Sequence, residues 1–278
     1  DKIEEINVNP INPFDYNLRK TRQVLNIGGE NVPRVISDLN LLDEVDIHAL
    51  SKLGYSYFML DFFDEASYYF SQLTSRESKY ASVAQYYYAH IAYQQGFYKR
   101  ALSGFNKLRF SEKFSNIIPY YITQIYFFQK RYQDLIDYTE LIIDNVIASR
   151  KSEVHRLIAE SYYHLANYTK SIYHFEIFIS ETENLKTIDY FQLGHTYFNV
   201  NDYLNAIKYL EKVSSNEEKI QQLVAYYLGA SYIKLDYKNY ALNSFKKASE
   251  YESNSILQED AFFNYIKLSF ELNSPFDN

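Results

Sequence analysis

The sequence predicts an all-α protein built as an array of antiparallel helix pairs. In its clearest copy, Gly229 is followed by Tyr232, Ala241 and Phe245, the spacing of two amphipathic helices joined by a short polar turn. The small residue that starts this ladder recurs at steps of 34 to 36 residues, at Gly54, Ala89, Thr123, Ala159, Gly194 and Gly229. A fixed period of this size is typical of stacked repeats, each of which contacts its neighbours.

The first 45 residues depart from this pattern and predict an irregular N-terminal segment. Pro10 and Pro13 exclude a regular helix at the start. Helical composition follows, is interrupted at Gly28-Gly29 and resumes from Pro33, but the small residues of the ladder are missing. We therefore predict a degenerate helix pair in residues 1–45 and a regular array over residues 46–278.

The regular array divides into six helix pairs and part of a seventh. The predicted pairs are 46–78, 80–110, 116–145, 151–180, 187–214 and 221–251. A first helix of a seventh pair is predicted at 259–272, and the sequence ends before a second helix could follow. Because solenoids normally end in a polar capping helix, we expect the chain to be a fragment of a longer multi-repeat protein.

Each predicted pair is held together by residues at fixed positions. The small residue of the first helix allows the second helix to approach closely, as do small residues of the second helix, Ala66, Ala101, Ser171, Ala206 and Ala241. Four residues later, large side chains fill the space between pairs, at Phe70, Phe105, Phe175, Leu210 and Phe245. The bends are marked by aromatic residues, Phe63, Tyr98, Tyr132, Tyr168, Tyr203 and Tyr237.

Composition excludes several classes of function. The net charge of -7, without a long basic run, argues against nucleic acid as a partner. The chain has no Cys, which removes disulfides and thiolate metal sites. The longest apolar stretch, residues 116–128, is interrupted by Pro119 and polar residues, so direct membrane insertion is not expected.

The ladder resembles the tetratricopeptide repeat. Leu228-Gly229, Tyr232, Ala241, Phe245 and Ala248 match the family's Leu-Gly-x-x-Tyr and Ala-x-x-x-Phe-x-x-Ala motifs, and the units of Gly54 and Gly194 match as well. The family's first-helix Trp and end-of-repeat Pro are absent. The resemblance covers about residues 46–272, and it implies a right-handed superhelix whose first helices line the concave side.

A narrower likeness concerns composition. The high Tyr, Phe, Ile and Asn content is similar to that of very long tetratricopeptide scaffolds of bacterial cell envelopes. This likeness favours a periplasmic or cell-envelope location, with the cytoplasm as the alternative. Two explanations of the 18% aromatic content stay open, which are AT-rich coding and selection for a binding surface.

One stripe of side chains on the first helices points away from the second helices and forms the predicted peptide-binding groove. It contains the residues three before, one after and four after each small residue. The groove residues are Tyr55, Phe58, Tyr86, His90, Tyr93, Tyr120, Gln124, Phe127, Arg156, Glu160, Tyr163, Phe191, His195 and Phe198. The same columns also contain Ser51, Tyr226, Ala230 and Ile233.

These residues predict a non-enzymatic scaffold that binds a protein or peptide through an aromatic groove, because Tyr and Phe offer large, stiff contact areas. Three alternatives stay open. The rings pack on each other and bind nothing; the array self-associates through its exposed ends as a homo-oligomer; or the chain is the repeat region of an enzyme or regulator whose active domain lies elsewhere.

No cofactor or metal site is predicted. His90, Gln124, Glu160 and His195 share one column, but consecutive first helices lie about 10 Å or more apart, too far for one ligand shell. Arg156 is the one cation of the stripe and Glu160 lies one turn away, so we expect the two to pair. A clamp for a C-terminal carboxylate is therefore not expected, and no catalytic nucleophile motif is recognisable.

Overall fold

In the computed structural model, residues 47–182 and 185–272 are described, and they contain 13 α-helices, one short 3-10 helix (Ile143–Asn145) and no strand. The helices are α1 (Ile47–Met59), α2 (Phe63–Leu73), α3 (Ala81–Gln94), α4 (Tyr98–Leu108), α5 (Ile118–Phe128), α6 (Tyr132–Ile142), α7 (Ala148–His164), α8 (Tyr168–Ser180), α9 (Thr187–Asn199), α10 (Tyr203–Leu210), α11 (Glu218–Lys234), α12 (Lys238–Ser249) and α13 (Ser255–Glu271). The predicted all-α array of helix pairs is thereby confirmed.

Two predictions fall outside the described residues. The N-terminal segment predicted for residues 1–45 is one, and the C-terminal end of the predicted array, residues 273–278, is the other. The last helix begins at Ser255, four residues before the predicted start, because the Asn254 side chain caps it by accepting from the Leu257 backbone N–H at 3.1 Å. Among the described helices, none is long and apolar enough to cross a lipid bilayer.

The chain divides into two compact units, residues 1–125 and 126–278, with the division inside α5. In the first unit, α1 packs on α2, α2 on α3 and α3 on α4. In the second unit, each helix from α7 to α13 packs on the next, and the first helices α7, α9, α11 and α13 also contact one another in sequence. The second helix of a pair therefore lies between two first helices, as a repeat array requires.

The ladder residues form the core of both units. A methyl group on Gly54 would lie 2.9 Å from the Phe70 ring, and one on Gly229 would lie 3.0 Å from the Phe245 ring. These distances show that the second helix packs against the first so closely that only a glycine, which has no side chain, fits there without a shift. The small residues of the second helices are fully buried, and the large residues four positions later are at most 3% exposed. At Ser171 the hydroxyl also donates to the carbonyl of Ala159, at 2.9 Å.

Each of the six bends is built by one residue with positive φ. The six residues are Asp61, Gly96, Lys130, Ala166, Asn201 and Asp236. Around each, two backbone hydrogen bonds close the end of the first helix, as in Phe62 N–H to Tyr57 O at 3.0 Å and Asp61 N–H to Phe58 O at 3.1 Å. The second helix begins two residues later, so five of the predicted bend aromatics are its first residue, and Tyr237 is its N-cap.

Two tyrosines join consecutive repeats of the second unit in the same way. Tyr197 on α9 donates to Glu176 on α8 at 3.0 Å, and Tyr232 on α11 donates to Glu211, which follows α10, at 2.6 Å. Burial, followed by the hydrogen bond to the carboxylate, raises the pKa of both phenols. The bond therefore repeats with the period of the sequence and fixes one pair against the next.

Candidate functional site

The stripe of the first unit is centred on His90, which four aromatic rings surround. The ring centroids of Phe58, Tyr86, Tyr93 and Tyr121 lie between 5.3 and 6.2 Å from the imidazole, and the Tyr86 ring is stacked on it. We call these five residues the His90 cluster. Its rings come from the first helices of three consecutive repeats, which the 35-residue period brings side by side.

Much of this part of the predicted groove is buried. Tyr55, Tyr86, Tyr93 and Tyr120 are at most 9% exposed, whereas Phe58, His90 and Gln124 keep partial exposure. The buried phenols are joined by hydrogen bonds, from Tyr93 to Gln124 Oε1 at 2.6 Å and from Gln124 Nε2 to Tyr120 at 2.8 Å. The four tyrosines thus have little surface to offer a ligand, because neighbouring rings cover them.

The imidazole of His90 is electrostatically isolated. Its Nδ1 atom is buried without a hydrogen-bond partner, and burial among the rings lowers its pKa to about 4. At neutral pH the side chain is therefore an uncharged, flat surface element, continuous with the aromatic rings around it.

The second unit repeats this arrangement around His195. The rings of Tyr163, Tyr168, Phe191 and Tyr227 lie between 4.6 and 6.2 Å from the imidazole, with Phe191 stacked on it. Together with Phe198, which packs on Tyr227 at 5.1 Å, these residues form the His195 cluster.

The His195 cluster is more accessible than the His90 cluster, since all six of its side chains are partly exposed. The Tyr163 hydroxyl and His195 Nδ1 are 3.0 Å apart, which fixes both rings. Burial raises the pKa of Tyr163 to about 12 and lowers that of His195, so both are neutral at pH 7. The result is a rigid aromatic surface with hydrogen-bonding edges.

The remaining stripe residues of the second unit lie at either side of this cluster. Phe127 packs on Tyr132 at 5.9 Å and is partly exposed. On α11, Ala230 is partly exposed and Ile233 is 37% exposed, while Tyr226 donates to Asp260 on α13 at 2.5 Å.

A polar cluster adjoins the aromatic one on α7 and α9. Arg156 donates to both oxygens of Glu153, at 2.7 and 3.0 Å, and forms a second ion pair with Glu160, as the sequence predicted. Gln192 on α9 donates to the other Glu160 oxygen at 3.4 Å. Nearby, Asp189 is 1% exposed, and its burial raises its pKa although Arg156 and Lys186 lower it.

Sequence reasoning missed an aromatic column two residues before the small one. Tyr87 lies 4.9 Å from Phe58, Tyr121 stacks on Phe105 at 5.0 Å, and Tyr227 lies on His195. These tyrosines cover the rings of the preceding repeat and so decide which stripe residues stay exposed. The sequence feature that could have identified this column is a Tyr two residues before the small residue in three of the six units.

A histidine pair was also missed. His155 on α7 and His174 on α8 face each other with their Nδ1 atoms 3.0 Å apart, and the Tyr162 ring stacks on His174. Burial lowers the pKa of both, that of His174 to about 4. The facing Nδ1 atoms are within hydrogen-bond distance, so one neutral ring donates to the other. In the described residues no group of three or more His, Cys, Asp or Glu side chains could hold a metal ion.

No protein-family model and no curated protein matches the sequence. A tetratricopeptide repeat protein from Parabacteroides merdae superposes with a TM-score of 0.50 at 18% identity, over 90% of this chain and 95% of the other. The C-terminal part of a repeat-containing protein from Cytophaga hutchinsonii gives a TM-score of 0.51 at 15% identity, over 82% and 100%.

The chain has the tetratricopeptide-repeat fold. In this fold the ladder residues hold helices together, and they are therefore unavailable to a partner. In the second unit, the partly exposed side chains beside the ladder include those of the His195 cluster, and the polar cluster next to it is mostly buried.

Proposed function

We propose that this tetratricopeptide repeat protein is a non-enzymatic scaffold that binds a peptide segment of a partner protein on the aromatic stripe of its first helices. The observation that carries the proposal is the His195 cluster. Its rings are partly exposed yet fixed by ring packing and by the contact between Tyr163 and His195. A rigid aromatic surface loses little conformational entropy on binding, which is what peptide recognition needs.

Charge supports a peptide over an anionic ligand. The chain carries a net charge of -7, and Arg156, the cation of the predicted stripe, is already engaged by Glu153 and Glu160. A phosphate or carboxylate would have to compete with two carboxylates for one guanidinium. Apolar side chains and backbone groups of a peptide face no such competition on the rings.

A peptide-display selection tests the proposal. A library of random peptides of about 12 residues, long enough to cross several rings, is selected on the full chain. The Phe191→Ser, Phe198→Ser double variant should lose at least about tenfold in affinity for the selected peptides, because aromatic anchors dominate such interfaces.

The matched control is Tyr173→Ser on α8, which removes a ring that is 62% exposed and outside the stripe. It should bind the peptides as the wild type does. Equal binding by the double variant, with helical content unchanged by circular dichroism, would show that the stripe is not the binding surface.

A second candidate function is self-association, favoured by the exposed apolar side chains of α13. Phe263 and Phe270 are 66% and 82% exposed, on a helix whose opposite side packs on α12. The occupant of this surface would be a second copy of the chain. Light scattering should then give a dimer or larger species for the wild type and a monomer for Phe263→Ser, Phe270→Ser; a monomeric wild type rules this candidate out.

A further inference from the structure

The polar cluster beside the His195 cluster contains more acceptors than donors. Glu153, Glu160 and Asp189 bring three carboxylates, whereas Arg156 is the guanidinium that pairs with the first two. Lys186 contributes a favourable charge to Asp189 but has an exposed side chain. The cluster therefore carries a net negative charge on a surface that is otherwise aromatic.

Two buried acceptor atoms in this cluster have no hydrogen-bond partner. Asp189 uses Oδ2 to accept from the Lys186 backbone N–H at 2.8 Å, and its Oδ1 atom is buried and unpaired. One turn later, the Gln192 side chain is directed into the cluster by its bond to Glu160, and its Oε1 atom is also buried and unpaired. Both residues are more than nine-tenths buried. Buried acceptors without a donor are costly, so they indicate a missing donor.

The cluster can be reached from the surface of the stripe. The side chains of Glu153 and Arg156 are 34% and 18% exposed, compared with 9% for Glu160. A donor from solvent meets the partly exposed Glu153 carboxylate, whereas Asp189 Oδ1 and Gln192 Oε1 are buried in the same cluster. Lys and Arg side chains have the length and the multiple N–H donors that such a site can satisfy.

On both helices an aromatic ring lies one helical turn from a residue of the polar cluster. Tyr163 follows Glu160 by three residues on α7, and His195 follows Gln192 by three on α9, a rise of about 5 Å. A ligand that fills both places has a basic side chain next to a large apolar one, and the rings add a favourable cation–π environment.

We propose that this part of the stripe selects basic peptides, with a Lys or Arg bound by Glu153, Glu160 and the two unpaired acceptors of α9, and a neighbouring aromatic or aliphatic side chain on Phe191 and His195. The proposal rests on the peptide-binding function argued above. It specifies the partner as a positively charged peptide segment. A groove lined by Lys and Arg would instead bind ligands that carry carboxylates.

The test uses the peptides selected on the full chain. Lys and Arg should be enriched at least about threefold over the input library at one position adjacent to Phe, Tyr, Leu, Ile or Met. Replacing that basic residue by norleucine should weaken binding at least about tenfold in fluorescence anisotropy, since a charge pair is removed while the aliphatic chain stays.

Glu153→Gln, Glu160→Gln should abolish this preference for the basic residue, and Glu140→Gln, at an exposed acid of α6, should leave it unchanged. If the double variant loses helicity, Glu153→Gln alone gives the same comparison, because Glu153 is the most exposed of the three acids. Selected peptides that depend on Phe191 and Phe198 but lack Lys and Arg enrichment would overturn this inference and leave the proposed function standing. Failure to select any peptide would overturn both.

Discussion

A methyl group on Gly194 would lie 2.5 Å from Cγ of Leu210, well inside van der Waals contact. The same methyl group would lie 3.1 Å from the carbonyl oxygen of Ala206, so the backbone of α10 as well as its side chain closes on α9 at this point. Gly194 and Leu210 therefore set the distance between the two helices of their pair.

Gly194→Ala is expected to destabilise the protein by about 1–3 kcal/mol, the usual cost of overpacking a core. A loss of stability would itself indicate the close contact, because a Gly to Ala substitution inside a helix otherwise stabilises a protein by about 1 kcal/mol. Urea denaturation followed by circular dichroism measures the change in the free energy of unfolding.

A double-mutant cycle provides the control for this prediction. Leu210→Ala alone should destabilise by about 2–5 kcal/mol because it leaves a cavity. The double variant Gly194→Ala, Leu210→Ala should lose less stability than the sum of the losses of the two single variants, since the new methyl group occupies part of that cavity. Strict additivity would contradict the close contact between the two positions.

The bends predict opposite effects for two small residues. Ala166 has φ of 56°, which costs a non-glycine residue about 1–2 kcal/mol, whereas Gly96 takes φ of 76° at the equivalent bend without that cost. Ala166→Gly should raise the free energy of unfolding by about 0.5–1 kcal/mol, and Gly96→Ala should lower it by a similar amount.

Gly96 makes this comparison clean, because a methyl group there would meet nothing within 4 Å, and any loss reflects the backbone conformation alone. Chemical denaturation of both variants is the measurement. A stabilising Gly96→Ala would show that this bend does not hold the left-handed conformation in solution.

Acid should destabilise the protein partly through His90. Its pKa is about 4 in the folded chain and near 6.5 in the unfolded chain. Between these values the unfolded chain binds a proton that the folded chain does not. The contribution of His90 to stability is therefore complete above about pH 6.5 and is lost progressively as the pH falls towards 4.

His90→Phe keeps a ring in the His90 cluster and removes the titration. Its free energy of unfolding should decline less steeply than that of the wild type between pH 6.5 and 4, by about 1–3 kcal/mol over the interval. Comparable stability of the two proteins at pH 7.5 provides the control. Parallel pH profiles would contradict the burial of a neutral imidazole.

The packing of the pairs could be predicted from the sequence because it depends on residue size at fixed spacing. A glycine at position 54 and a large ring at position 70 predict a close contact between the two helices, and similar pairs recur with the 35-residue period. The conformation of the bends could not be predicted in the same way. Five of the six residues with positive φ, including Lys130 and Ala166, are not glycine, and backbone closure by the preceding helix imposes their conformation.

The candidate site was predicted as a column of residues but not as a surface. Helical spacing gives the face of the helix on which each residue lies, so the residues of the stripe could be predicted. Their exposure depends on which side chains of the neighbouring repeat pack over them. Tyr87 and Tyr121 cover rings of the first unit, whereas Phe191 and Phe198 keep partial exposure in the second. The contact between His155 and His174 was likewise invisible, because it joins residues 19 positions apart with no shared motif.

The central claim is that a peptide binds on the His195 cluster, and mapping by NMR tests it most directly. Titration of the isotope-labelled full chain with a selected peptide should shift the resonances of Tyr163, Phe191, His195 and Phe198, and leave those of exposed Tyr173 on α8 in place. Shifts confined to the second helices, with the four stripe residues unchanged, would contradict the claim.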